Sequence, residues 1–244
     1  MNFRALCVLF YIIFYLIITF PERLRLKKLE QTDPKKAYQI SQKHVQKAFR
    51  RFLKICGVKV EAEGLLNIPE GACLYVGNHS SYFDILVLGS VVPGGTGFVA
   101  KDSLAHIPGL SNWMRRIRCL FLDRKDIRKG MKTILQGADY LKEGYSMCIY
   151  PEGTRSTTGQ LGEFKGGSLK MAQKADVPIV PVAMTGTRDI FENNKGLRIS
   201  PSNVKVTFGV PFKISELPKE EKKFAAKRTK QLIENMLETQ HQIS

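Results

Sequence analysis

The chain has 244 residues, enough to bury one good core with a small appendage, and its content of 43% hydrophobic and 25% charged residues excludes a disordered protein. A net charge of +16 calls for an acidic partner: nucleic acid, an anionic membrane or an acidic small molecule. Five scattered cysteines (Cys7, Cys56, Cys73, Cys119, Cys148) form no Cys-x-x-Cys pair, and none of the four histidines stands beside a second good ligand. This pattern points to a reducing compartment and leaves no expectation of a disulfide framework, a zinc site or another metal.

From Ala5 to Phe20 every residue is apolar except Thr19. As a helix this stretch spans about 24 Å, a little short of a hydrocarbon core of ~30 Å. The residues that follow, Pro21-Glu22-Arg23-Leu24-Arg25, offer no small-residue cleavage site, so a membrane anchor is expected rather than a signal peptide. Between Pro21 and Cys56 eleven Lys or Arg face three acids, half of the whole chain's excess charge. Juxtamembrane charge of this kind places the segment on the cytoplasmic face of the cell membrane, against anionic lipid. From Lys35 the apolar residues Ala37, Ile40, Ala48, Phe49, Phe52 and Leu53 recur at helical steps, as in a basic amphipathic helix lying in the interface. Residues 1–56 are therefore expected to be a two-helix membrane-anchoring segment, and residues 57–244 an α/β domain. No helix-turn-helix, RNP-type strand or zinc knuckle accompanies the charge, so nucleic acid is set aside as a partner.

Beyond Gly57 strand-like and helix-like runs alternate. Strands are predicted at 58–62, 72–76, 97–100, 120–122, 147–150, 179–183 and 204–208, with helices after His79, along Met131–Leu141 and from Leu217 to Gln240. This alternation implies a mixed, largely parallel sheet flanked by helices. Parallel strands bring their C-terminal ends to one edge, where α/β proteins place ligands.

Two strand ends carry chemistry. After 72–76 comes Asn78-His79-Ser80-Ser81-Tyr82-Phe83-Asp84, in which Ser80 or Ser81 can cap a helix. Asp84 follows His79 by five residues and can fold back to the imidazole, fixing its tautomer and leaving the other nitrogen as a base. No Gly-x-Ser-x-Gly elbow exists, so the nucleophile is read as a hydroxyl on the substrate. After 147–150 comes Pro151-Glu152-Gly153-Thr154-Arg155-Ser156, where glycine permits close approach and Arg155 offers a fork matched to phosphate. Arg124, ending a further strand, and Lys165 are additional basic candidates.

These blocks resemble the glycerophospholipid acyltransferase family, most closely the bacterial 1-acyl-sn-glycerol-3-phosphate (lysophosphatidic acid) acyltransferases. Asn78–Asp84 is similar to the family's Asn-His-x4-Asp block. Cys119–Arg124 resembles the second block, Pro151–Ser156 the third and Val177–Val182 the fourth. The second block commonly opens with glycine, where Arg118 stands here. The resemblance implies that His79 is the base and Asp84 orients it. It further implies that Arg124, Glu152, Gly153, Thr154, Arg155 and Lys165 bind the substrate, and that the fourth block shapes the acyl side. The implied reaction moves a fatty acyl chain from acyl-CoA or acyl carrier protein to the hydroxyl of lysophosphatidic acid, with no metal or redox cofactor. Acylation of glycerol-3-phosphate or another lysolipid, a lipid hydrolase, and a non-enzymatic basic membrane-binding protein are the alternatives. Backbone N–H groups near Gly153 or at the helix start are the expected oxyanion donors.

Overall fold

Three helices open the computed structural model, which describes residues 2–123 and 126–242: α1 (Phe3–Ile18), α2 (Phe20–Thr32) and α3 (Pro34–Cys56). The α/β part then runs β1 (Val58–Glu63), β2 (Leu74–Gly77), α4 (Phe83–Val91), β3 (Gly97–Lys101), α5 (Leu110–Arg116) and β4 (Leu120–Leu122). It continues through α6 (Ile127–Lys142), β5 (Met147–Ile149), α7 (Lys170–Ala175), β6 (Ile179–Thr185), β7 (Ser202–Phe208), α8 (Lys219–Lys222) and α9 (Ala225–Gln242).

The strands form one sheet in the order β1-β7-β6-β2-β5-β3-β4, with every neighbouring pair parallel except β6 and β7. The expected mixed, largely parallel sheet is therefore present. Its central strands are buried on both faces, which is why they read as unbroken apolar runs. Alternate residues serve opposite layers: Leu74 and Val76 of β2, and Met147 and Ile149 of β5, pack with Ile134 and Leu141 of α6 and Ile233 of α9. Tyr75, Cys148 and Tyr150 point the other way, to a core with Val45 and Leu53 of α3 and Val87 and Leu88 of α4.

The N-terminal segment differs from the two-helix expectation. Helix α1 stops at Ile18; Thr19 turns its hydroxyl back to the Tyr15 carbonyl (2.6 Å), and Pro21 sits in the first turn of a separate helix bent by 50°. No single described helix is long and apolar enough to cross a membrane; α1 and α2 reach that length only as the bent pair. Helix α3 also departs from the interfacial reading. Its apolar stripe, including Ala37, Val45, Ala48, Leu53 and Cys56, is buried, chiefly against α4 and α2 and also against α1, because its own domain offers that stripe a larger apolar surface. What α3 leaves outside is its charge: Lys43, Lys47, Arg50, Arg51 and Lys54 are exposed. The exposed apolar stripe belongs to α1, where Phe3, Phe10, Ile13, Phe14, Ile17 and Ile18 face outward. The opposite side of α1 is fixed to α3, with Tyr11 Oη donating to the Ala48 carbonyl (3.1 Å).

Candidate active site

Strands β2 and β5 are parallel neighbours, Val76 beside Ile149, so the turns that follow them emerge together at one edge. Asn78 carries the ladder one step past β2: its side-chain amide accepts from Met184 N–H (2.8 Å) and donates to the Met184 carbonyl (2.9 Å). His79 is then held on three sides. Its backbone N–H donates to Glu152 Oε1 (2.6 Å), its carbonyl accepts from Ser156 N–H (2.7 Å), and its ring stacks on Tyr150 at 4.3 Å.

Asp84, in the first turn of α4, returns to the imidazole as its spacing predicts: Nδ1 lies 2.8 Å from Oδ2. The same oxygen accepts from Ser80 N–H (2.7 Å) and Ser81 N–H (2.8 Å), and the residue has no solvent exposure. An oxygen already accepting two N–H groups requires Nδ1 to be the third donor, which leaves the lone pair on Nε2. A base aimed outward from the strand–helix corner is what this arrangement provides. The expected serine cap is not formed: Tyr82 holds the N-cap position of α4 without a side-chain cap bond, and Ser81, one residue earlier, accepts from Phe83 N–H in a local turn (3.0 Å).

Glu152 lines the cleft and is also bonded to the backbone around the base. Both of its oxygens are taken by backbone, Oε1 by His79 N–H and Oε2 by Gly162 N–H (2.8 Å), so it joins the third block to the base. Burial pushes its carboxyl up, and those two N–H donors pull the other way. Gly153 has φ +72°, and a Cβ there would stand 2.7 Å from Lys165 Nζ; glycine lets the ammonium lie over this turn. Thr154, Arg155 and Lys165 line one cleft of about 680 Å³ with Glu152, Leu161 and Phe164. Arg124 lies outside the described residues.

Several of the expected oxyanion donors already have partners. The N–H groups of His79, Ser80, Ser81, Tyr82 and Phe83 go to Glu152, Asp84, Glu192 and Ser81, and that of Gly153 to the Tyr150 carbonyl (3.0 Å).

One further feature stood outside the sequence reading, and one departure noted there gains a physical reason. Glu192 accepts from Ser81 Oγ (2.6 Å), Tyr82 N–H (2.8 Å) and Arg155 Nη1 (2.9 Å), while the Arg155 guanidinium lies 3.4 Å over the Tyr82 ring. Phe191-Glu192-Asn193 follows no strand directly and carries no motif, so no local signal marks it. Arg118 has φ +61°, which explains why a glycine suits that position: an L side chain in this region costs roughly 1–2 kcal/mol. Here the side chain is held by Glu30 (3.0 Å) and by the Tyr145 ring (5.1 Å), contacts a glycine could not make.

The chain matches the family model described as Acyltransferase over residues 59–185. It is 37% identical over 160 residues to a probable 1-acyl-sn-glycerol-3-phosphate acyltransferase of Mycoplasma pneumoniae, covering 64% of this chain and 60% of that protein. To the 1-acyl-sn-glycerol-3-phosphate acyltransferase of Saccharomyces cerevisiae it is 33% identical over 144 residues, covering 58% and 48%. The match thus spans about half to three fifths of these relatives' length. Among solved structures, the 1-acyl-sn-glycerophosphate (LPA) acyltransferase PlsC of Thermotoga maritima superposes with a TM-score of 0.83 at 27% identity, covering 98% of this chain and 95% of that one. A family match over more than half of the residues, a range that includes the His79–Asp84 corner and the Glu152–Arg155 turn, shows that the chain belongs to the acyltransferase family.

Proposed function

We propose that this protein is a 1-acylglycerol-3-phosphate O-acyltransferase, moving a fatty acyl chain from an acyl thioester to the free hydroxyl of lysophosphatidic acid in phospholipid biosynthesis. The observation that carries the reading is the buried Asp84 carboxylate on His79 Nδ1, at the sheet edge that also presents Arg155 and Lys165. His79 takes the acceptor's hydroxyl proton at Nε2 as that oxygen attacks the thioester carbonyl. The C–S bond of the tetrahedral intermediate then breaks, and the same nitrogen returns the proton to the departing thiolate. Arg155, Arg124 and Lys165 hold the acceptor's phosphate, Thr154 lines its cleft, and Glu152 holds the backbone of the base. The reaction as written needs no metal or redox cofactor. Acyl-CoA and acyl carrier protein both present the thioester it requires.

The chain works at a membrane surface, its acceptor and product being lipids. The outward apolar face of α1 enters the bilayer boundary, and the exposed Lys and Arg of α3 meet anionic headgroups on the cytoplasmic side. An apolar cavity of about 280 Å³ lies beneath α1, lined by Tyr11, Phe52, Leu86, Trp113 and Ile117, and suits hydrocarbon.

The test is product analysis with a labelled acyl thioester, with and without lysophosphatidic acid. Labelled phosphatidic acid that appears only with the acceptor, and disappears in a folded His79→Ala variant, is the expected result. Free fatty acid formed equally without acceptor would make the protein a hydrolase, and label on glycerol-3-phosphate would move the acceptor class.

A further inference from the structure

The Arg155 guanidinium is gripped from two directions. The face of Tyr82 lies 3.4 Å from it, and Glu192 takes Nη1 at 2.9 Å. Glu192 is itself held, its two oxygens also accepting from Tyr82 N–H (2.8 Å) and Ser81 Oγ (2.6 Å) at the start of α4. Its side chain is only 12% exposed, whereas that of Arg155 is 32% exposed. The same turn carries His79, so one carboxylate joins the base's loop to the arginine of the third block.

We infer that Glu192 is a positioning residue: it aims the Arg155 guanidinium at the acceptor's phosphate and ties that aim to the turn carrying His79. This rests on the acceptor reading given above. A long, partly exposed arginine that is not anchored must be ordered each time an anion arrives, and that cost falls on acceptor binding. Fixing one Nη on a carboxylate, with the ring beneath, leaves the opposite edge of the fork set to receive a phosphate. The negative charge of Glu192 opposes an incoming anion, but it is compensated by more than Arg155. A backbone N–H, a hydroxyl and the N-terminal end of α4 share it. Ordering therefore outweighs repulsion, and neutralising Glu192 weakens the acceptor's hold.

The test is a double-mutant cycle on the full-length protein, reading the KM for lysophosphatidic acid, the donor KM and kcat. Glu192→Gln is expected to raise the acceptor KM about five- to twentyfold, with donor KM and kcat changed less than about threefold. In an Arg155→Ala background the same substitution should add almost nothing, because it acts through the side chain already removed. Glu192→Asp, which keeps the charge, should recover part of the loss. Tyr82→Leu changes a 58% exposed residue and should shift the acceptor KM in the same direction. An acceptor KM that is unchanged or lower in Glu192→Gln, or an effect that persists in full without Arg155, overturns the inference. A parent protein that prefers lysophosphatidic acid over a monoacylglycerol while the cycle is additive removes only the role of Glu192. A parent without that preference removes the acceptor reading and this inference together.

Discussion

Replacing Asp84 by Asn separates two roles of the carboxylate that sequence reasoning merges. Because Ser80 N–H and Ser81 N–H both point at Oδ2, an asparagine must present its carbonyl oxygen there. Nδ1–H of His79 can still donate to that oxygen, so the tautomer survives; what disappears is the negative charge that stabilises the imidazolium once His79 has taken a proton. At about 4 Å between charge centres and an effective dielectric of about 20, that attraction is about 4 kcal/mol. A neutral acceptor recovers about 1 kcal/mol of it. The net of about 3 kcal/mol corresponds to a fall in kcat of roughly a hundredfold, at 1.36 kcal/mol per decade. The amide nitrogen takes the place of Oδ1, a buried atom without a hydrogen-bond partner among the described residues. Burying that donor unpaired costs roughly 1–3 kcal/mol of stability. Thiol release in the presence of lysophosphatidic acid, nitrogen NMR of the imidazole and thermal melts measure the three quantities. A loss near ten-thousandfold with Nε2–H observed would mean that the tautomer had flipped, as happens in a serine protease triad, and would refute the orientation argued here. A loss below threefold would remove His79–Asp84 from the chemistry.

Arg155→Ala is expected to weaken the acceptor by roughly 1.5–3 kcal/mol, seen in its KM or kcat/KM, while donor KM moves little. Arg155→Lys should recover only part, since an ammonium has no fork, and a rise confined to the donor KM would place this arginine on the acyl carrier. Phe10 and Phe14 are 63% and 61% exposed on α1; Phe10→Asp with Phe14→Asp should turn a protein that resists salt extraction into one that high salt releases. If high salt alone releases the parent, α1 is not inserted. Glu152 has its carboxyl raised by burial, so the folded state keeps this proton to higher pH than the unfolded chain does. Its contribution is full below the ordinary glutamate range and is lost as pH rises through the raised value. Melts of the parent and Glu152→Gln across pH 4–8 should therefore converge or cross downward for the parent, and a parent that gains on the variant with rising pH contradicts the burial account.

The strands, helices α1, α3, α4, α6 and α9 and the His79–Asp84 pair were legible because they are local, whereas α2, α5 and α7 were not anticipated. Apolar runs bounded by glycine or proline mark β2, β5 and β6, and a five-residue return along a helix start needs no distant partner. Departures began wherever a donor or an apolar face had a choice of partner. The bend between α1 and α2 and the burial of α3's stripe depend on which surfaces meet. The sequence does not say which backbone groups Glu152 meets; the parallel register of β2 and β5 brings it to His79 N–H. Glu192 is the extreme case, lying 111 residues from Ser81 in the chain and 2.6 Å from it in space. Periodicity and spacing report what a segment does with its own neighbours. Which carboxylate a particular N–H or guanidinium finds is decided by the strand order and crossovers, and those exist only once the chain has folded.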